Sequence, residues 1–143
     1  MKEILISIKP KYISQILKGN KTIELRKKVG RFFMPNAEIY LYSSSPVKAL
    51  VAKARIKDVE KVTLKDLNER KADILKAACI SEDDFDVYYN GCDSSYLIYL
   101  EGVVLFERPL SLAELRHYGF TPPQSFCYLD NELHSFLVAE GLI

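Results

Sequence analysis

Two long alternating segments follow one another with a short polar break between them. Residues 37–43 and their tail read "AEIYLYSSSP", and residues 48–60 read "KALVAKARIKDVE". In the second segment Leu50, Ala52, Ala54 and Ile56 fall on one side, and Lys53, Arg55 and Lys57 on the other. A period of two over this length is a half-buried strand. Two such strands with a break this short predict an antiparallel hairpin, because a parallel pair needs a crossover. That favours hairpin connections over a chain of repeated βαβ units. The missing GxGxxG and P-loop patterns argue the same way, leaving a Rossmann or nucleotide-triphosphatase reading little support.

The remaining elements fit around this hairpin. "EILISI" (3–8) reads as a strand. Pro10 suits the first turn of a helix in which Tyr12, Ile13, Ile16 and Leu17 share a face, and Gly19 supplies a left-handed cap. "TIELRKK" restarts the chain as a strand. Thr63 with Asp66, Ser81, and the S-x-x-E pair Ser111–Glu114 mark helix starts. A long apolar strand over 94–108 is expected to bend at Gly102. The order β-α-β-β-β-α-α-β-α-α defines an α+β fold. At 143 residues and 48% hydrophobic content, one domain over 1–143 is expected, with one core.

Several function classes lose support here. "MKEILISIKPKY" is too short and too often interrupted by lysine for a signal peptide. The longest apolar stretch, Tyr96 to Phe106, carries Glu101 and Gly102 and is about half the length of a membrane span. A cytoplasmic protein without a membrane partner is therefore expected. Cys79, Cys92 and Cys127 are scattered, and neither His117 nor His134 lies near one in sequence, so neither a metal site nor a cofactor is expected. The formal charge of +1 hides an asymmetry: residues 1–57 carry thirteen bases against three acids, and residues 58–143 seven against sixteen. Basic residues gathered on one face would attract phosphates, whereas halves folded against each other would neutralise.

"GNKTIELR" (19–26) sits between the first helix and the second strand, and carries G-x-K-x-x-E-x-R. With its preceding helix "KYISQILKG", the later turn "YSSSP" and the segment "PPQSF" (122–126), it resembles the ASCH family of the PUA-like superfamily. The resemblance implies a small, mostly antiparallel β-barrel with peripheral helices and a cleft beside the motif. It also implies RNA or nucleotide as partner. Some members are enzymes, cleaving RNA or hydrolysing the acetyl amide of N4-acetylcytidine.

On this reading Lys21, Glu24 and Arg26 are ligand-binding residues, with Lys21 and Glu24 catalytic if the protein is an enzyme. Glu24 and Arg26 share a strand face about 7 Å apart, and arginine offers two parallel donors to a phosphate or carboxylate. Tyr40, Tyr42 and Tyr99 are candidates to stack on a base, Ser43, Ser44 and Ser45 to meet a phosphate, and Lys53 and Arg55, with Lys57, to border the cleft. The acetylcytidine-hydrolysing members place a nucleophilic threonine where this chain has Glu24. Thr22 falls at a different motif position, so that role does not carry over. Asp83 and Asp84 both stand as a second carboxylate. An RNA or nucleotide binder, a small hydrolase of RNA or a modified nucleoside, and a protein-interaction module remain three distinct readings; oligomeric state is left open.

Overall fold

The computed structural model describes residues 2–142. In chain order the elements are β1 (Ile4–Ile8), α1 (Pro10–Leu17), β2 (Ile23–Arg26), β3 (Glu38–Ser43), β4 (Ala49–Thr63), α2 (Leu64–Glu69), α3 (Lys71–Ala78), α4 (Glu82–Tyr88), β5 (Ser94–Ser111), α5 (Leu112–Arg116), β6 (Phe126–Tyr128) and α6 (Asn131–Ala139). The strands make one curled sheet in the order β2-β5-β4-β3-β1-β6, an α+β half-barrel. The expected hairpin is present: β3 pairs antiparallel with β4, Ile39 opposite Ala54 and Tyr40 opposite Lys53. Every other ladder is antiparallel except β1–β3, which is parallel. That exception follows from connectivity, because α1 and β2 intervene between the two strands and carry the chain back to its starting end.

Local chemistry places the turns. Pro10 opens α1, Ile13 and Ile16 bury its inner face, and Gly19 takes φ +81° just past its end. Only a residue without Cβ adopts that conformation without strain. Gly102, at φ +60°, sits where the β4–β5 register slips between Lys53 and Arg55, so the bend expected in β5 is a β-bulge. Thr63, Ser81 and Ser111 each accept the backbone N–H three residues on. Glu114 completes a capping box with Ser111.

Curling gives the sheet two faces and three apolar clusters. Ile6, Ile39, Leu41, Ala54 and Ile98 line the concave face, closed by Ile13 and Ile16 of α1. Leu5, Tyr40, Leu50 and Leu110 pack outward beneath Leu115, Leu133 and Leu137. Leu25 and Leu97 pack under α2–α4 through Leu67, Ile74 and Phe85. Each fully buried leucine or isoleucine contributes roughly 1.5–3 kcal/mol, so Ile16 alone fastens α1 firmly. The barrel does not close through backbone pairing: β2 and β6 are its two edges. The open seam between β2 and the β1–β6 pair is what positions the site. Among the described residues no helix is long and apolar enough to cross a membrane.

Candidate functional site

The motif lies on this seam. Lys21 follows Gly19 at the end of α1, and its side chain turns inward to 4% exposure. Its ammonium donates to the carbonyls of Ile23 and Ala78, each at 2.8 Å, and lies 3.2 Å from Glu24 Oε1. An ammonium has three donors, so all of them are engaged within the protein. The Tyr12 ring packs beneath it, 5.1 Å from Nζ to centroid. Burial pushes the Lys21 pKa below the ordinary lysine value, while the neighbouring Glu24 carboxylate pulls it back up.

Glu24 is buried at 7% exposure, and its other oxygen accepts from Arg26 Nε at 2.9 Å and Nη2 at 2.6 Å. The same Nη2 donates to the Ser7 carbonyl at 2.8 Å, and Nη1 to Ser125 Oγ at 3.0 Å. Arg26 thus reaches from β2 to β1 and to the residue preceding β6. The sheet edge that lacks backbone pairing is bridged by a guanidinium, which a carboxylate holds in plane. A buried charge needs a partner and satisfied hydrogen bonds; this Lys–Glu–Arg chain supplies both.

Above it opens a cleft of about 490 Å³, walled by α1, β2 and α4. Lys21, Glu24 and Arg26 form part of its lining. Tyr12 and Tyr88 add aromatic rings, and Ser7, Ser44 and Gln124 add polar groups. Lys9, Lys11 and Asp84 also line it. Lys11 and Asp84 meet at 3.4 Å, joining α1 to α4, with side chains 58% and 54% exposed. The Tyr88 hydroxyl donates weakly to the Leu25 carbonyl at 3.4 Å.

Other residues expected at the site lie elsewhere. Tyr40 and Tyr42 point to the outer face of β3, because Ile39 and Leu41 take the concave side; Tyr40 is buried and donates to Glu3 at 2.8 Å. Tyr99 is engaged with Glu60 and Arg70. Ser43 is buried in the β1–β3–β4 pairing, and Ser45 is exposed outside the cleft; of the three serines, only Ser44 lines it. Lys53, Arg55 and Lys57 do share a face, opposite Ala52, Ala54 and Ile56. But β4 is separated from edge β2 by one strand and from edge β6 by two, and the row does not line the cleft. Arg55 instead lies 3.7 Å from Glu101. Of the two acidic candidates, Asp84 lines the cleft and Asp83 does not.

Sequence reasoning passed over Tyr12, Lys9, Lys11 and Tyr88. Tyr12 falls on the apolar face of α1 and reads as core. Its signal was being the one polar-tipped residue on that face, within a turn or two of Gly19.

A family model described as the ASCH domain matches residues 6–107. An ASCH domain-containing ribonuclease from Zymomonas mobilis is 29% identical over 140 residues, which cover 96% of this chain and 91% of the relative. The crystal structure of ASCH from Zymomonas mobilis matches with a TM-score of 0.85 at 28% identity, over 96% of this chain and 94% of that one. The human THYN1 protein, solved in complex with DNA containing 5-methylcytosine, shares the fold at a TM-score of 0.61. It is 15% identical, over 98% of this chain and 97% of that one.

Proposed function

The chain belongs to the ASCH domain family, and from that premise we propose that it is a cytoplasmic protein of ribonuclease type, binding single-stranded RNA in the seam cleft and cleaving it there. The observation that carries this reading is the cleft's composition. Cations for a phosphate (Lys9, Lys11, Arg26), rings for a base (Tyr12, Tyr88) and a solvent-accessible carboxylate (Asp84) line one cavity over a pre-ordered floor. Its volume falls within the roughly 300–1,000 Å³ of small-molecule sites, which suits one nucleotide at a time. The ribonuclease relative, similar over nearly the whole length, supports the same reaction class.

The roles divide by what each group has left to offer. Lys21 has no donor to spare, so it orders the floor and holds Glu24. Lys11 and the outer face of Arg26 meet the phosphate, and their charge stabilises the developing oxyanion. Asp84 has one oxygen on Lys11 and the other without a hydrogen-bond partner among the described residues, which suits a general base for the ribose 2′-hydroxyl. The deprotonated 2′-oxygen attacks phosphorus, the P–O5′ bond breaks to leave a 2′,3′-cyclic phosphate, and the leaving 5′-oxygen takes a proton from water or a cleft hydroxyl.

A second reading, amide hydrolysis of a modified nucleoside, draws on the depressed Lys21 pKa beside Glu24. One experiment tests both. Purified wild type and Asp84→Asn are incubated with single-stranded RNA oligomers and with N4-acetylcytidine, and products are resolved by mass. Shortened RNA ending in a cyclic or 3′-phosphate, formed by wild type and lost in the variant, is the expected result. Released acetate would favour the second reading. Intact RNA that is nevertheless bound would reduce the protein to a binder.

A further inference from the structure

The loop that leaves β2 continues from Arg26 through "KKVGR". Residues 25–37 hold four bases and no acid. Arg26 pairs with Glu24 and belongs to the cleft itself, whereas Lys27, Lys28 and Arg31 are exposed and enter no ion pair among the described residues. The Lys27 ammonium stands 4.5 Å from the centroid of the Tyr88 ring, and Tyr88 lines the cleft. Lys27 therefore stands at the cleft's rim, and Lys28 and Arg31 follow it along the loop without lining the cleft.

The loop is pinned. At Gly30 an added Cβ would sit 2.1 Å from the Tyr128 hydroxyl, so the backbone is pressed against that ring. The Phe32 N–H donates to the same hydroxyl at 3.2 Å, and Phe33 is buried against Phe126 with centroids 4.8 Å apart. Cations on a fixed backbone lose less freedom on binding than cations on a mobile one. Uncompensated like charges next to each other also repel, and a polyanion lying along them removes that cost.

We propose that Lys27, Lys28 and Arg31 form a track for the phosphodiester backbone of a strand whose one nucleotide occupies the cleft. The substrate is then a single-stranded oligonucleotide and not a free nucleoside or nucleotide. The proposal rests on the RNA reading of the cleft and assigns what lies beyond it. Each neutralised phosphate on a single strand contributes a salt slope of about −0.7, so a track of three contributes about −2.

The test compares ligand lengths. A nucleoside monophosphate and labelled RNA oligomers of increasing length are titrated into wild type at several salt concentrations. They are also titrated into two triple variants: Lys27→Gln/Lys28→Gln/Arg31→Gln, and Lys53→Gln/Arg55→Gln/Lys57→Gln. The second removes the same charge from the outer face of β4. Thermal melts establish that all three proteins are folded. The expected result is wild-type affinity that rises with length and then levels off. The loop variant should lose at least about tenfold on the longer oligomers, with a salt slope shallower by about 2, and bind the monophosphate as wild type does. The β4 variant should leave the length dependence intact. Equal binding of monophosphate and oligomer by wild type would overturn the track while leaving the cleft reading standing. So would equal losses in the two variants, which would show diffuse attraction. Failure of every ligand to bind would overturn the cleft reading and the track together.

Discussion

The Lys21 ammonium lies 2.8 Å from the carbonyl oxygen of Ala78, so the motif lysine closes the C-terminal end of α3. The last carbonyls of a helix lack partners and carry negative partial charge. A buried ammonium satisfies both, and the same nitrogen ties that helix end to β2 through Ile23 and Glu24.

Lys21→Met should therefore destabilise the fold by about 3–5 kcal/mol, the cost of leaving a buried carboxylate short of its partner. Lys21→Arg should recover little, because a planar fork cannot serve three acceptors arranged around one nitrogen. Urea midpoints measure this directly. A Lys21→Met protein with the wild-type midpoint would mean that the network adds nothing to stability, and any activity it lost could then be assigned to chemistry.

Arg26→Lys keeps a positive charge but cannot span from Glu24 to Ser7 and Ser125. A loss of about 1–3 kcal/mol is expected, as for hydrogen bonds to charged groups. It should be local. Amide exchange should speed up in peptides covering 4–9 and 122–128, with β4 unaffected. Uniform acceleration across the sheet would show that the guanidinium does not act at the seam in particular.

Asp84→Asn should strengthen binding of a nucleoside monophosphate several-fold while abolishing cleavage. The carboxylate pairs with Lys11 and repels phosphate; the neutral amide accepts from Lys11 only weakly and carries no charge to repel phosphate. Stability should change by less than about 0.5 kcal/mol, since both partners are more than half exposed. Calorimetric titration reads the affinity, and weaker binding by the variant would remove Lys11 from the phosphate site.

Tyr40 supplies a pH dependence unconnected with the cleft. Burial, with Glu3 next, pushes its pKa well above the ordinary tyrosine value. A group whose folded pKa is raised contributes stability that is complete below its unfolded pKa of about 10 and is lost as pH climbs past it. Urea midpoints should hold to about pH 9 and fall by pH 11. Tyr40→Phe should start lower by about 1 kcal/mol for the lost hydrogen bond and show a shallower alkaline decline. A decline identical to wild type would place the titration in another group, such as Tyr89, which is raised by burial as well.

What was legible in the sequence was local. Gly19, Thr63, Ser81 and the Ser111–Glu114 pair act within one turn of chain, so their chemistry shows in a few letters. The alternation of 48–60 shows which residues share a face. It does not show which strands flank the seam, and so Lys53 and Arg55 looked like cleft residues. Tyr40 failed for a related reason: the outward face of β3 becomes interior because α5, Phe120 and α6 cover it. β6 escaped notice because three half-buried residues have no measurable period. The convergence of Lys21, Glu24 and Arg26 came through family resemblance; their spacing alone does not reveal that Arg26 reaches Ser7 and Ser125.

The pairing of β1 with β6 has a consequence during biosynthesis. Ile4–Ile6 and Phe126–Tyr128 are partners at opposite ends of the described chain. On the ribosome β1 emerges first, and the strand that covers its outer edge emerges more than a hundred residues later. For that interval "ILISI" is an apolar edge with unpaired amides, the kind of surface that recruits other nascent strands. Safe production of this protein then depends on how quickly its C-terminal segment arrives. A translational pause before Phe126 would be more hazardous than one after Tyr128.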